Sequence, residues 1–441
     1  MQKQLKQLLG LNPVDLQGDF HPSFSSLANT FKKIQPSHGR GGSALTIYFK
    51  GEKVLDVWTG QLKEGTPWQQ DSMALSFSTG KAILATLLHR LVDQGILDYD
   101  QPIAYYWPEF AQNDKDNITI RHVLSHQSGL FDIRQNIKSA AQMLEWQQML
   151  HVFEQATPRF EAGSQTAYQA LTFGWLLGGV IEKATGESLL SVFQKELVEP
   201  LQLDGAYFGV PKTELDRVAR PIILPVASES HAVHSSQHTD KTNSNTTGKT
   251  TAKKHPPLLP NGKRPLTLQE KALRLTGIDP YDAEDALMPK GVSRFSFFND
   301  RALQACIPAA NGVFTARSLA KVYAMLSNGG EIDGKAYLSP ERVQLLSQVQ
   351  TTQRDRIMML PMNWRMGYHR ILTLGKRVPQ GFGHIGYNGS GAWCDPSREL
   401  SFAYIHNFAG TSVTGDYRLW WLTQAALQTA DLHLTGKKGW R

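Results

Sequence analysis

The sequence predicts an α+β fold: one antiparallel sheet built from the two chain ends and flanked by helices, with a mostly helical domain between them. Three patterns predict it. A β-branched and aromatic hairpin occupies 43–60, a second pair of strand-like runs occupies 382–407, and helical periodicity dominates from 78 to about 225. Hairpins at both ends argue against a doubly wound parallel sheet, whose strands alternate with helices. The expected division is 1–75 for the N-terminal segment and first strands of the α/β domain, 76–290 for the helical domain, and 291–441 for the remainder of the α/β domain.

In SALTIYFKGEKVLDVWTG, two strand-forming runs flank Lys50-Gly51-Glu52, which reads as a hairpin turn. A helix is expected from about Ser78 to Gln94. Its Leu84, Leu87, Leu88 and Leu91 recur at i, i+3, i+4 and i+7 and form one buried face, and Gly95 is placed to stop it. AYQALTFGWLLGGVIEKATG, residues 167–186, reads as a buried helix ended by Gly186. Another covers Ala316 to Leu326, before Asn328-Gly329-Gly330. Toward the C-terminus, FGHIGYNGSGAWCDP and ELSFAYIHN read as strands joined at the polar corner Asp395-Pro396-Ser397-Arg398. An amphipathic helix over about Asp416 to Ala430 closes the chain, and no internal repeat is visible.

Residues 227–265 interrupt this order. Ser, Thr, Asn, Lys and Pro dominate, and too few apolar side chains are present to offset the entropy of ordering the segment. A mobile, low-complexity insertion is expected, in which His231, His234 and His238 are incidental rather than a metal site. The insertion also accounts for the charge. The chain carries +7, yet this segment holds six Lys/Arg against two acids, and the rest has 40 basic and 37 acidic residues, or +3. That distribution gives little support to a nucleic-acid groove. Cys306 and Cys394 read as free buried thiols, which fits a reducing compartment. The apolar stretch from Leu8 to Leu11 is broken by Gly10 and ends at Asn12-Pro13, whereas an export signal needs about 7–15 apolar residues. The longest apolar tract, Leu171 to Ile181, is far short of the roughly 20 residues that span a bilayer. A cytoplasmic protein with neither nucleic-acid nor membrane partner is expected.

There is no G-x-S-x-G elbow and no H-E-x-x-H motif. S-x-x-K occurs twice, at Ser78–Lys81 and Ser318–Lys321. Residues three apart share a helix face, so such an amine can reach the hydroxyl. A serine at a helix N-terminus also sits where the dipole favours negative charge. To accept that proton the lysine must be neutral. From a reference near 10.4, neutrality at pH 7 costs roughly 4 kcal/mol, which burial and neighbouring groups must supply. Ser78 follows Met73-Ala74-Leu75-Ser76-Phe77 and opens a strongly apolar helix that would bury Lys81. Ser318 instead falls in the first turn of a helix capped by Thr315, where serine is common for structural reasons, and Lys321 reads as a solvated residue. Ser78 is the expected nucleophile; the bland reading is a serine near a helix start followed by a surface lysine.

Larger blocks carry a resemblance. FSTGK (77–81), LDYDQPIAYYWPEF (97–110), ITIRHVLSHQSGL (118–130), the 167–186 block, PAANGVFTARSLAKVYAMLSNGG (308–330) and FGHIGYNGSGAWCDP (382–396) stand in a characteristic order and separation. From about residue 38 to 430 the chain resembles the β-lactamase-related serine hydrolases. That group includes class C β-lactamases, DD-peptidases, D-aminopeptidases and family VIII carboxylesterases, the last being the branch it resembles most. The resemblance implies a β-lactamase/DD-peptidase-like fold, with Ser78 as the acylated nucleophile and Lys81 as its proton acceptor. Tyr168 matches the tyrosine that shuttles a proton between serine, leaving group and deacylating water. His384-Ile385-Gly386 aligns with the third motif, on the strand edge beside the nucleophile. The oxyanion hole would use the backbone N–H groups of Ser78 and Tyr387, donors whose loss costs ~10²–10³ in rate. His122 and His126 fall in a structural turn motif. No cofactor or metal is implied.

Two departures narrow the substrate. Where β-lactamases and peptidases have Tyr-x-Asn, this chain has Ala170, which removes a donor to β-lactam and peptide amides and resembles the esterase branch. His384 stands where many relatives carry lysine, and a mostly neutral imidazole anchors a carboxylate less well than an ammonium. A carboxylesterase (EC 3.1.1) cleaving small acyl esters is therefore expected, with Tyr105, Trp107, Trp175, Tyr387 and Trp393 as candidate pocket aromatics. A β-lactamase, D-amino-acid peptidase or acyltransferase on the same serine is the alternative. A non-enzymatic binding paralogue is disfavoured because Ser78, Lys81 and Tyr168 are all present.

Overall fold

The computed structural model describes residues 15–36, 41–222, 264–275, 279–358, 361–408 and 416–435. Apart from Arg264 and Pro265, the insertion expected at 227–265, with its three histidines, lies outside the described residues.

The main sheet contains β1 (Gln17–Phe20), β2 (Gly42–Phe49), β3 (Glu52–Lys63), β4 (His369–Arg370), β5 (Phe382–Ile385), β6 (Gly391–Asp395) and β7 (Leu400–His406). They lie in the order β1-β3-β2-β7-β6-β5-β4, every pair antiparallel, and a two-residue strand at Thr66–Pro67 hangs off β3. The two chain ends meet where β2 pairs β7, with Phe49 opposite Leu400 and Ser43 opposite His406. The protein is thus an α+β molecule with a terminal-strand sheet. The β2–β3 hairpin turns through Lys50 and Gly51, at φ +54° and +77°, the left-handed pair that matches the twist of the flanking strands.

Among the helices are α1 (Ser25–Lys33), α2 (Thr79–Asp93), α3 (Trp146–Gln155), α4 (Thr172–Thr185), α5 (Pro280–Leu287), α6 (Ala316–Ser327) and α7 (Tyr417–Thr435), and both faces of the sheet are covered. Alternation along β7 shows how the faces are assigned. Phe402 and Tyr404 pack into one cluster with Leu27 and Phe31 of α1 and Leu422 and Ala426 of α7. Ala403 and Ile405 turn the other way, into the large core with α2, α4 and α6. Leu84, Leu87, Leu88 and Leu91 of α2 are all buried there, and Gly95 follows at φ +74°.

Three expectations need correction. The helix expected over 167–186 begins only at Thr172, although Gly186 does end it in the left-handed conformation. Backbone groups ahead of it are satisfied by distant partners instead. Ala167 N–H donates to the His126 carbonyl at 2.9 Å and Tyr168 N–H to Asp355 at 3.2 Å, while the Ala170 carbonyl accepts from Lys81 at 2.6 Å. Lys321 is not simply solvated but pairs with Asp333 at 2.7 Å. The C-terminal helix runs on to Thr435, past the expected end at Ala430. Cys306 and Cys394 are free thiols, Cys394 buried and Cys306 partly so.

Candidate active site

The two S-x-x-K motifs separate on geometry. Thr315 caps α6 by accepting from Ser318 N–H, and the Ser318 hydroxyl donates to the Asp204 carbonyl at 2.6 Å; this serine is consumed by structure. Ser78 is itself the N-cap residue of α2, the place Thr315 holds in α6, yet its hydroxyl makes no capping bond. It lies 2.9 Å from Lys81 Nζ and accepts from the Tyr168 hydroxyl at 2.8 Å.

Local backbone aims Ser78. Phe77, just before it, sits at φ +46°, a left-handed conformation that costs a non-glycine residue of order 1–3 kcal/mol and persists only where surroundings enforce it. Those surroundings are tight. A Cβ on Gly386 would meet the Ser76 carbonyl oxygen at 2.2 Å, and one on Gly80 would meet that of Pro308 at 2.6 Å. Gly386 therefore serves by letting the end of β5 press against the segment that leads into Ser78. Gly80 lets α2 press against the 308–312 segment, which brings the Ala309 carbonyl to Lys81. Among the described residues, neither Ser78 N–H nor Tyr387 N–H donates to a protein acceptor.

Lys81 is fully buried, and burial pushes its amine well below the usual lysine value. Besides Ser78 it meets two backbone carbonyls, Ala170 at 2.6 Å and Ala309 at 2.8 Å. Carbonyls only accept, so two amine N–H groups are committed to them and the third position faces Ser78. Burial pushes the Tyr168 phenol up, above its ordinary value, with its bond to Ser78 pulling the other way. Tyr168 stacks on Trp364 at 5.3 Å between centroids and 8° between planes. Asp355, 2% exposed, holds both: it accepts from Tyr168 N–H, Ile357 N–H, Met358 N–H and Trp364 Nε1–H. His126 packs edge-on to Tyr168 and accepts from Gln169 N–H, whereas His122 closes the capping box at Thr119. Ala309, Asp355 and Trp364 had no signal in the sequence as site residues, because each meets Lys81 or Tyr168 only through tertiary contact.

His384 is buried on β5 beside His369, ring centroids 4.8 Å apart, and burial holds its imidazole well below the usual range. Its Nδ1 faces the Ile385 carbonyl at 2.9 Å, so Nδ1 carries the hydrogen; Nε2 has no partner among the described residues. Tyr387 is 42% exposed. Ser78, Tyr168, His384 and Tyr387 all border one cavity of about 950 Å³. Of the aromatics expected there, Tyr387 alone lines it; Trp107, Trp175 and Trp393 are core residues and Tyr105 is exposed elsewhere. Phe77, Phe295, Phe297, Phe298 and Trp364 line it instead. Its arginines are already paired, Arg134 with Glu284 at 3.2 Å and Arg264 with Glu284 at 3.0 Å.

The model of the family described as Beta-lactamase matches residues 27–426. The chain belongs to the beta-lactamase family. This family member is 34% identical over 393 residues to Esterase/beta-lactamase LipL of Mycobacterium tuberculosis, covering 88% of this chain and 82% of the relative. A crystal structure of a family VIII carboxylesterase superposes with a TM-score of 0.76 at 27% identity, covering 94% of this chain and all of the other. A penicillin-binding protein homologue from Caulobacter crescentus gives 0.74 at 27% identity, with coverage of 94% and 100%. With these relatives, the beta-lactamase family member is a serine hydrolase with the β-lactamase/DD-peptidase-like fold. No helix among its described residues is long and apolar enough to cross a membrane.

Proposed function

We propose that the protein is a carboxylesterase that cleaves small neutral acyl esters through an acyl-enzyme on Ser78. One observation carries the choice of substrate: the cavity offers no uncommitted cation among its described residues. Arg134 and Arg264 both pair with Glu284, Lys81 is spent on carbonyls and Ser78, and His384 is buried and neutral. A substrate carboxylate would lose its hydration with nothing to replace it, at a cost of several kcal/mol. The Ala170 methyl supports the same reading, because it offers no donor to an amide.

The proton inventory gives a balanced cycle. At rest Lys81 is a neutral amine whose lone pair faces Ser78, and Tyr168 is a protonated phenol. Lys81 takes the Ser78 proton as Oγ bonds to the acyl carbon, and the N–H groups of Ser78 and Tyr387 receive the developing oxyanion. The carbon–oxygen bond to the alcohol then breaks, and Tyr168 gives its proton to the leaving oxygen. The acyl-enzyme thus holds an ammonium on Lys81 and a phenolate on Tyr168, with Nζ 5.0 Å from the ring centre. The phenolate removes a proton from water, the hydroxide attacks the acyl carbon, and Lys81 returns its proton to Ser78 Oγ as that bond breaks. One ester and one water yield one alcohol and one acid.

The test is fluorophosphonate labelling together with turnover of short p-nitrophenyl esters. Both should vanish in Ser78→Ala and persist in Ser318→Ala. Hydrolysis of nitrocefin far faster than of the esters would replace this reading with a β-lactamase.

A further inference from the structure

The cavity has two walls that belong to different hydrophobic clusters, and Ser78 lies at the seam. One wall is aromatic. The Phe77 ring meets those of Phe297, Phe298 and Tyr387 edge-on, at 5.8, 5.9 and 5.9 Å, and the three phenylalanines pack on the cluster around Met73, Leu75 and Val313. The other wall is formed by Tyr168, Trp364 and Met362, with Leu287 and Met358 packed against them. Phe77 adjoins Ser78 in the chain, and the Tyr168 hydroxyl, from the second cluster, touches Ser78. The clusters share no buried member.

We infer, resting on the esterase reading, that the walls divide the substrate: the alcohol half lies against Tyr168, Trp364, Met358 and Met362, and the acyl half against the Phe77 aromatic set. The reason is the path of the proton. Tyr168 is the acid, so the leaving oxygen, with the carbon chain behind it, must lie on the Tyr168 side of Ser78. The remaining substituent of the acyl carbon turns away from that oxygen, toward Phe77. Each wall then states a preference. Rings set edge-on to one another accept a further planar ring in offset or edge contact. Methionines and a leucine conform to a flexible chain of varying shape. A cavity of about 950 Å³ is at the upper end of those that enclose a whole small-molecule ligand, so both halves fit together. The substrate class is an arylacyl ester, of the phenylacetyl type, with an unbranched aliphatic alcohol.

The experiment compares kcat/KM for methyl acetate, methyl phenylacetate and hexyl acetate, followed by titrating the acid released. Phe298→Ala should lower the phenylacetate-to-acetate ratio about 10-fold, the scale at which an apolar pocket discriminates, and move the hexyl-to-methyl ratio much less. Met358→Ala should do the reverse. The interchanged pattern, or both ratios moving together in both variants, overturns the division. Phe298→Leu and Met358→Leu give the same readout with smaller changes if an alanine variant fails to fold. Wild-type preference for nitrocefin over all three esters would sink the esterase reading itself. Turnover of the esters without a split in the ratios would sink only the division.

Discussion

Asp355→Asn isolates what holds the proton-transfer geometry in place. The carboxylate is 2% exposed and takes four donors: Oδ1 accepts from the N–H groups of Tyr168, Ile357 and Met358 at 3.2, 2.8 and 2.9 Å, and Oδ2 from Trp364 Nε1–H at 2.8 Å. Burial pushes the carboxyl pKa up while these bonds pull it down, so removing the charge relieves part of the burial cost and offsets the weakening of the three backbone bonds. The indole bond has no such offset. Asparagine keeps an oxygen for the backbone donors but turns an N–H₂ toward an N–H, leaving two buried donor groups, the indole N–H and the amide N–H₂, without an acceptor, at about 4 kcal/mol together. For a chain of 441 residues that lowers Tm by only about 4 °C, so turnover is the more sensitive readout. Trp364 is the platform on which Tyr168 stacks, and a misplacement near 1 Å costs about 10²-fold. Steady-state kinetics on a short ester should show kcat reduced about 10- to 100-fold with a smaller change in KM, and circular dichroism should show the fold intact. Wild-type kcat in a folded Asp355→Asn protein would refute the reasoning, since Tyr168 would then be held without the carboxylate.

Lys81→Arg replaces a titratable amine with a group that stays protonated; ester turnover should drop about 10²–10⁴-fold, and activity within a few fold of wild type in a rate assay would remove Lys81 as the base. The pH–rate profile of the wild type should lose activity on the acid side, as Lys81, depressed by burial, takes up its proton, while the raised Tyr168 places any loss from phenol ionisation above the ordinary tyrosine range. A steep fall at pH 8–9 that disappears in Tyr168→Phe is the contrary result. Burial also lowers His369 and His406 to about 4. These imidazoles are neutral in the fold, so the stability they confer is present above their unfolded value near 6.5 and is lost as pH falls from there toward 4. Each contributes about 3 kcal/mol to that loss, and urea titrations should show stability falling steadily across the window; a flat profile from pH 6.5 to 5 would contradict it.

The legible parts of this fold and site are those set by neighbours in sequence. The β2–β3 hairpin, the leucine face of α2 and the stop at Gly95 follow from periodicity and turn chemistry, and Ser78 with Lys81 follows from one helical turn. Even the preference for Ser78 over Ser318 was accessible, because Thr315 announces a cap and the chain beyond Ser78 announces burial. The stretch from Ala167 to Leu171 shows where such reasoning stops. By composition it continues the helix, but its backbone is claimed by His126, Asp355 and Lys81, residues 41, 187 and 89 positions from their partners, and no local pattern encodes those claims. The failure falls where the chemistry needs it. Had α4 begun at Ala167, the Ala170 carbonyl would be aligned with the helix axis and shared with the helix's own N–H four residues on, rather than given over to the amine. Lys81 would lose a fixed donor contact, and with it the geometry that turns its remaining position toward Ser78. The side chain of Ala170 bears on the proposed ester preference, and its carbonyl holds the Lys81 amine at 2.6 Å; only the first of these can be read from its identity.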